Sequence, residues 1–483
     1  MKRILFFLCV SLIFVSCKDD LQETKDMYKY VNEWVYGNME GLYYWNTALP
    51  AFRKTSENPN DYFETLKNKD DRFSAIFESY QDILNELNGV SAAEIGFDFQ
   101  LYTESPNNSN VLGVVVYVKR GTPAEAMGIK RGDIFRKING KQITVANYRD
   151  VIDYLFDDST SSSIIFSDYQ DGLFTDKAAV TVTKAANYKE NPIYLDTVYT
   201  VQDKKVGYLV YNFFTNDSGD KSMKYDLELN SAMERFKLEN ISELILDFRY
   251  NHGGMMSSAI NLASMLVPNL TTDKVFSYTQ FNQNYTDYFN SAEFKKKNPE
   301  NPFINNFATT IALNSPSTAT FPIQNLGNNL QRIFFLTGEG TASASEMVIN
   351  GLKPFLSCVL IGDTTVGKNV GSTLINDEEN VKNQWAFMPI ILKYFNKDHQ
   401  SDFTNGFVPD FLVKDDYSYE LGDTREGLLG KAISQISGVP LSDAKLAPQN
   451  RGLLRSSIDF NRIGGGLVVK NKLIDSFSKE KRK

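Results

Sequence analysis

The chain has 483 residues, 42% of them hydrophobic, and a formal net charge of −8 with no concentrated basic patch, which argues against a polyanion such as nucleic acid as partner. That length is enough for two to four domains with sizeable cores. Two histidines and three cysteines form no metal-ligand cluster, so neither a metal nor any other cofactor is expected.

Lys2 and Arg3 precede an apolar run from Ile4 to Val15, the pattern of an export signal. The run ends in Phe14-Val15-Ser16-Cys17, which resembles a bacterial lipoprotein cleavage site. The resemblance implies loss of residues 1–16, lipidation of Cys17 and anchoring to a membrane of the cell envelope, on the periplasmic or the outer face. Lys18-Asp19-Asp20 resembles an export tag of surface lipoproteins. With Cys9 in the signal and Cys17 lipidated, only Cys358 remains; it lies in an apolar run and reads as a packing residue. No later segment reaches 18 consecutive apolar residues, so no internal membrane span is expected.

A polar stretch to about Lys25 reads as a flexible tether. Met27, Tyr28, Val31, Trp34, Val35, Met39, Leu42, Tyr43 and Trp45 then recur at helical spacing, and a second pattern runs from Ile76 to Leu87. Residues 17–88 are therefore expected to form the tether and a small helical domain whose aromatic stripe is core.

From about Ile95 to Thr183 the pattern changes to short strands. Leu112–Val118 is one, followed by Gly121-Thr122-Pro123, Gly128, Gly132-Asp133 and Asn139-Gly140. Pro123 suits the first turn of a short helix and Gly128 its end, while Asn139-Gly140 suits a hairpin. Asn147–Phe156 supplies a second helix. This stretch resembles a PDZ domain, placed at 89–186. The resemblance implies that a peptide adds as a strand beside the second helix, its terminal carboxylate captured by the backbone of Ile95, Gly96 and Phe97.

Residues 187–440 read as a third unit. Lys205–Phe214 is a strand, Met223–Leu238 a helix, Leu244–Asp247 a strand and Met255–Leu266 a helix, an alternation that predicts parallel pairing. Residues 269–330 read as strands with long loops rimming a cleft, and Lys295-Lys296-Lys297 as a solvated surface. Ile333–Leu336 is a strand that hands over, through Thr337-Gly338-Glu339-Gly340-Thr341-Ala342, to a helix opened by Ser343-Ala344-Ser345-Glu346 and stopped by Pro354. Ser343 thus meets a helix N-terminus, where free N–H groups and the helix dipole favour an oxyanion. Cys358–Ile361 is another strand, followed by Gly362-Asp363-Thr364-Thr365-Val366-Gly367-Lys368. A lysine neutralised by burial can serve as the base of a serine, and Lys368 lies near Ser343 if the two strands are neighbours. Trp385–Tyr394 alternates as a further strand. Residues 441–483 form a tail of little pattern, with a flexible break at Ile463-Gly464-Gly465-Gly466.

Thr341-Ala342-Ser343-Ala344-Ser345-Glu346 followed by Gly362-Asp363-Thr364-Thr365-Val366-Gly367-Lys368 resembles the active-site signature of the tail-specific, or carboxyl-terminal processing, serine peptidases. The family's base lies 25 residues after its nucleophile, and 368 − 343 = 25 selects Ser343 and Lys368 as the catalytic pair. Asp247-x-Arg249-x-Asn251-x-Gly253-Gly254 resembles the family's second hallmark. It implies an oxyanion hole from the N–H groups of Gly253, with Gly254 as the alternative, and Ala344. Asp247 and Arg249 are expected to be structural. His252 lies at a position the family varies, which leaves it a lesser candidate for the base. Gly406–Asp410 resembles the segment that closes the catalytic domain. Where the family often places a lysine-orienting glutamine, four residues after the base, this chain has Ser372.

The expected architecture is a multidomain α/β protein: an N-terminal helical region, an α+β PDZ domain and an α/β catalytic domain of the tail-specific peptidase type. The expected function is an exported, lipid-anchored serine endopeptidase acting on polypeptides, with the PDZ domain recognising C-terminal tails or gating access to the site. The alternative, motivated by Ser372, is an envelope protein that binds such tails without turnover. Oligomeric state and physiological substrate are not legible.

Overall fold

The structure is a computed structural model that describes residues 2–105, 108–157, 159–298, 300–313, 319–440, 453–456 and 467–469; for 2–20, 453–456 and 467 it describes the backbone alone. Its centre is a six-stranded sheet in the order Ile193–Val201, Lys204–Tyr211, Glu243–Asp247, Arg332–Thr337, Ser357–Gly362, Phe411–Leu412. The first two strands form an antiparallel pair and the rest run parallel. Strand alternation divides the core in two. Leu244, Leu246, Ile333 and Phe335 face helices Lys224–Leu238, Met256–Leu266 and Ala344–Leu352. Ile245, Phe334 and Leu336 face helix Gly427–Ser437 on the other side.

The N-terminal region packs directly onto the central unit. Val31, Val35, Met39 and Tyr43 are buried in the same core as the helices packed on the central sheet, as is helix Pro59–Leu66 through Tyr62 and Phe63. The stretch expected as a tether is helical, continuous with Lys2–Leu42. Lys18 to Asp26 holds no glycine or proline to break it. The pattern at Ile76–Leu87 divides as well: Ala75–Phe77 pairs with Ala386–Met388 as a strand, and only Tyr80–Leu87 is helix, capped by Ser79. Among the described residues no helix is long and apolar enough to cross a membrane.

The PDZ unit is a sheet in the order Leu453–Ser456, Phe97–Thr103, Val111–Val118, Ile134–Ile138, Ser161–Gln170, Leu173–Asp176. Pro123 opens helix Pro123–Ala126 behind the Thr122 cap, and Tyr148–Ile152 is the second helix. Asn139 and Gly140 take φ 48° and 75°, the left-handed pair that a tight hairpin needs. Arg131 leaves this unit and is fully buried against Asp415 and Tyr250 of the unit built on the central sheet, donating also to the Tyr419 carbonyl at 2.9 Å.

Residues 269–330 hold more regular structure than expected. Strand Val275–Phe281 belongs to a second sheet, ordered Ile304–Asn306, Val275–Phe281, Ile390–Asn396, Val370–Ser372, Leu467–Val468. Helices Gln283–Asn290 and Ala292–Lys297 follow, and Lys297 pairs at the surface with Glu293. Their capping residues Asn282 and Ser291 are readable in retrospect. Helix Gly427–Ser437 was also missed, although Leu428, Leu429, Ala432 and Ile436 recur at helical spacing before Gly438. The expected break at 463–466 lies outside the described residues, as does the side chain of Cys17.

Candidate active site

Three neighbouring parallel strands end on the same side of the central sheet, and the loops after their carboxyl ends carry the candidate residues. Glu243–Asp247 leads into the turn to Gly254, Arg332–Thr337 leads to Ser343, and Ser357–Gly362 leads to Lys368. The last two loops are stitched together from their first residues: Asp363 N–H donates to Thr337 O at 2.9 Å and Val366 N–H to Thr341 O at 2.9 Å.

Ser343 is the residue before helix Ala344–Leu352 and takes φ 61°, ψ −110°. A non-glycine residue in that region is strained, and such strain gathers where a side chain must be presented in one direction. Glu346, one turn on, is the anchor. Its carboxylate accepts from Ser343 N at 2.8 Å, Lys368 N at 2.8 Å, Gly367 N at 2.7 Å and Thr365 Oγ1 at 2.5 Å. Burial pushes the Glu346 carboxyl up, and those donors oppose the rise. Tyr394 clamps the other side, its hydroxyl donating to Lys368 O at 2.9 Å and Ser343 O at 3.2 Å. The backbones of residues 343 and 368 are thus held on one carboxylate and one phenol.

Ser343 is 0% and Lys368 1% exposed. Burial is the largest influence on the Lys368 ammonium and brings it from its ordinary 10.5 down to about 8, against the opposing charges of Asp71 and Glu346. The Lys368 Nζ sits 4.9 Å from the ring centroid of Phe73. Arg72 donates to Gly367 O at 3.1 Å and Thr404 O at 2.8 Å, so the N-terminal segment 71–73 closes over the lysine. Ser343 Oγ and Ser372 Oγ are buried without a hydrogen-bond partner among the described residues. An unpaired buried hydroxyl costs about 1–3 kcal/mol, so both are unspent hydrogen-bonding capacity inside the site.

The turn after Asp247 is pinned by Asn251. Its amide donates to Tyr211 O at 2.8 Å, its Oδ1 accepts from Gly253 N at 2.9 Å, and its carbonyl accepts from Ala342 N at 3.2 Å. Gly253 has φ 103°, and a Cβ there would lie 2.7 Å from Ser343 Cβ and 3.0 Å from Ala344 N, so only glycine fits against the serine. Ala344 is the first helical residue, whose N–H has no intrahelical acceptor. Arg249 is bidentate to Asp247 and, on its other edge, to Glu426 at 2.6 and 2.9 Å. The His252 ring lies against Gly340. Cys358 is a free thiol packed at the edge of the main core, and burial pushes it up to about 12.

In the PDZ unit, Gly96 has φ 96° and its N–H already donates to Glu94 Oε1 at 2.9 Å. Glu94 in turn meets Lys119 at 2.9 Å in a buried group with Asp98 and Glu190. The Gly96 N–H expected to receive a substrate carboxylate is thus already taken by a carboxylate of the chain itself.

Sequence reasoning missed Glu346, Asn251, Tyr394, Asp71 and Phe73 as parts of this site. The Ser343-x-x-Glu346 spacing, that of a capping box, could have found the first. Asn251 stood within the second hallmark with no role assigned. Nothing local marks the other three.

Residues 205–413 match the profile of peptidase family S41, residues 30–75 that of the peptidase S41 N-terminal domain and residues 114–160 that of a PDZ domain. A CtpA-like serine protease of Staphylococcus aureus (strain N315) is 23% identical over 366 residues, covering 73% of this chain and 58% of the relative. The corresponding protein of Staphylococcus saprophyticus is 20% identical over 362 residues, covering 74% and 58%. The chain therefore spans less than two thirds of the length of these relatives. A solved chain described as an S41 protease from Bacteroides fragilis shares the fold, with a TM-score of 0.67 at 23% identity over 84% of this chain and 98% of that one.

Proposed function

The chain carries the catalytic domain of peptidase family S41 with that family's N-terminal domain and a PDZ domain, and from that premise we propose that it is a serine endopeptidase working through Ser343 and Lys368. Neutral Lys368 Nζ takes the proton from Ser343 Oγ as that oxygen attacks a peptide carbonyl carbon. The oxyanion is received by the N–H of Ala344 and by that of Gly253, once Asn251 releases it, or of Gly254. The tetrahedral species collapses, the Lys368 ammonium protonates the departing amine, and an acyl ester on Ser343 remains. Water, deprotonated by the same amine, then releases the acid. Ser372, whose buried hydroxyl has no partner among the described residues, is the residue proposed to orient the amine.

One observation carries this reading: Ser343 N and Lys368 N share the Glu346 carboxylate while burial brings the Lys368 ammonium to about 8. A serine-directed acylating probe should modify wild-type protein at Ser343 and leave Ser343→Ala unlabelled. The labelling rate should rise with pH through about 8, because only the deprotonated amine is a base. Folded wild-type protein that takes no label would instead favour a tail-binding protein without turnover, the reading that Ser372 in place of the family's glutamine supports.

We also propose that Cys17 is lipidated and holds the catalytic units at a membrane of the cell envelope. Phe14-Val15-Ser16-Cys17 after the apolar run supports this. Radiolabelled palmitate should enter wild-type protein in cells and be absent from Cys17→Ser; equal incorporation would reject the anchor.

A further inference from the structure

Two described stretches of the C-terminal segment, 453–456 and 467–469, lie along two strand edges. Val468 N–H donates to Gly254 O at 2.9 Å, and Val469 N–H to Ser372 O at 2.9 Å. Thr373 Oγ1 donates to Val469 O at 3.1 Å. Leu467–Val468 thereby forms the outermost strand of the second sheet, parallel to Val370–Ser372, and Met255 bridges to Val468 on its other side. It spans the gap between the turn carrying Gly253-Gly254 and the strand that follows Lys368. Val468 is buried in a cluster with Phe77, Ile83, Met255 and Met388.

The same segment contributes Leu453–Ser456 to the PDZ unit, antiparallel to Phe97–Thr103. That is the strand after the Gly96 loop, and its Phe97, Phe99 and Leu101 share a core with Val151 and Ile152 of the second helix. Leu453 stands opposite Tyr102 and Ser456 opposite Gln100, so the segment runs toward the Gly96 loop. Because Glu94 occupies the Gly96 N–H, this groove suits a strand that passes through it rather than one ending there in a carboxylate.

We propose that this C-terminal segment is a competitor in cis: it docks by strand addition on the PDZ edge and on the Val370–Ser372 edge, and a substrate polypeptide must displace it to reach Ser343. The proposal rests on the peptidase reading for its meaning, and two observations carry it. Strand edges of this kind accept any extended backbone, so tail and substrate compete for the same N–H and C=O groups. Ser343 at 0% and Lys368 at 1% exposure admit no polypeptide in this arrangement, and the short strand at Leu467–Val468 adjoins both arms of the site. The pocket that holds Val468 then becomes a subsite of the opened enzyme, and its lining of Phe77, Met255 and Met388 selects an aliphatic side chain from the substrate.

The test uses the full chain carrying Val468→Pro and Val469→Pro, which deletes both donated hydrogen bonds, with fluorescein-labelled β-casein as an unstructured probe. In the Ser343→Ala background the pair of prolines should tighten probe binding about tenfold, the change expected if the tail covers the site nine-tenths of the time. With Ser343 intact, kcat/KM should rise by a similar factor, mostly through KM. Should the proline variant fail to fold, hydrogen exchange on the Ser343→Ala protein serves in its place. Saturating probe should then lower protection at 453–456 and 467–469 while Ile390–Asn396 stays protected. Unchanged or weaker binding in a folded proline variant, or unchanged exchange in the tail, would overturn the proposal. Binding and exchange shifts without cleavage would retain the tail inference and reject the peptidase reading; cleavage with neither shift would do the reverse.

Discussion

Lys368→Met is expected to reduce peptide cleavage by about 10^4- to 10^6-fold, the cost of removing the base from a serine that cannot ionise unaided. The same substitution is expected to stabilise the folded protein at pH 7. The folded state holds the Lys368 ammonium at about 8 against 10.5 for a solvated lysine, and burial is the leading cause. Below pH 8 both folded and unfolded chains are protonated, and the full penalty applies, about 3 kcal/mol at 1.36 kcal/mol per pH unit. As pH rises from about 8 to 10.5 the folded state is already neutral while the unfolded one still binds its proton, so the penalty shrinks and vanishes above 10.5. Methionine keeps the stem against Phe73 and removes the charge. Urea unfolding at pH 7 and pH 10 checks this. A variant less stable than wild type at pH 7, or a gain of equal size at both pH values, would show that the amine is not held dry in the native site.

Glu426→Gln is expected to cost about 3–5 kcal/mol of stability, because it leaves the Arg249 guanidinium buried with two of its three carboxylate partners, Asp247 and Asp415. Arg249 and Glu426 are both almost fully buried and meet through two hydrogen bonds of 2.6 and 2.9 Å. Burial alone would raise the Glu426 carboxyl, but the charge of Arg249 outweighs it and holds the group well below the ordinary range. Its contribution is therefore present above the ordinary glutamate value and is lost as pH falls through the lower folded value. Wild-type protein should lose stability across that acid window, and Glu426→Gln should lack that step. Glu426 also caps helix Gly427–Ser437 by accepting from Leu428 N and Leu429 N, which adds to the loss. Arg249 opens the turn that ends in Gly253-Gly254, so labelling of Ser343 should slow in the same variant. A change under about 1 kcal/mol in urea unfolding would mean that water reaches the pair and that the turn is held by Asn251 alone.

The strand-to-helix handover at Ser343 was legible because it is local. An apolar run at Ile333–Leu336 marks a buried strand, two glycines permit the sharp turn after it, and the apolar periodicity to Leu352 marks the helix. The PDZ punctuation was legible for the same reason, since Pro123 fixes its own φ while Gly128, Asn139 and Gly140 are the residue types that tolerate the left-handed φ found there. The parallel pairing of Lys204–Tyr211 with Glu243–Asp247 followed from the alternation of strand and helix, whereas the adjacency of Arg332–Thr337 and Ser357–Gly362 stood only as a condition until the structure met it. Helix Gly427–Ser437 was present in the pattern and went unread. The division of Ile76–Leu87 into strand and helix was not readable, because pairing of Ala75–Phe77 with Ala386–Met388 overrides local preference.

The sequence by itself determined which chemical groups are at hand: a hydroxyl at a helix start, an amine 25 residues on, and two glycines in a turn between strand and helix. Only the tertiary structure decided the state of those groups. Whether the Lys368 ammonium surrenders its proton depends on Phe73 and Asp71, reached across 295 positions of chain at the Arg72–Gly367 contact. Whether the serine is open to a polypeptide depends on Val468 and Val469, nearly a hundred positions beyond Ser372 and Thr373. Burial and strand pairing are properties of segments brought together by folding, and the desolvation and edge hydrogen bonds that govern this site exist only once they meet.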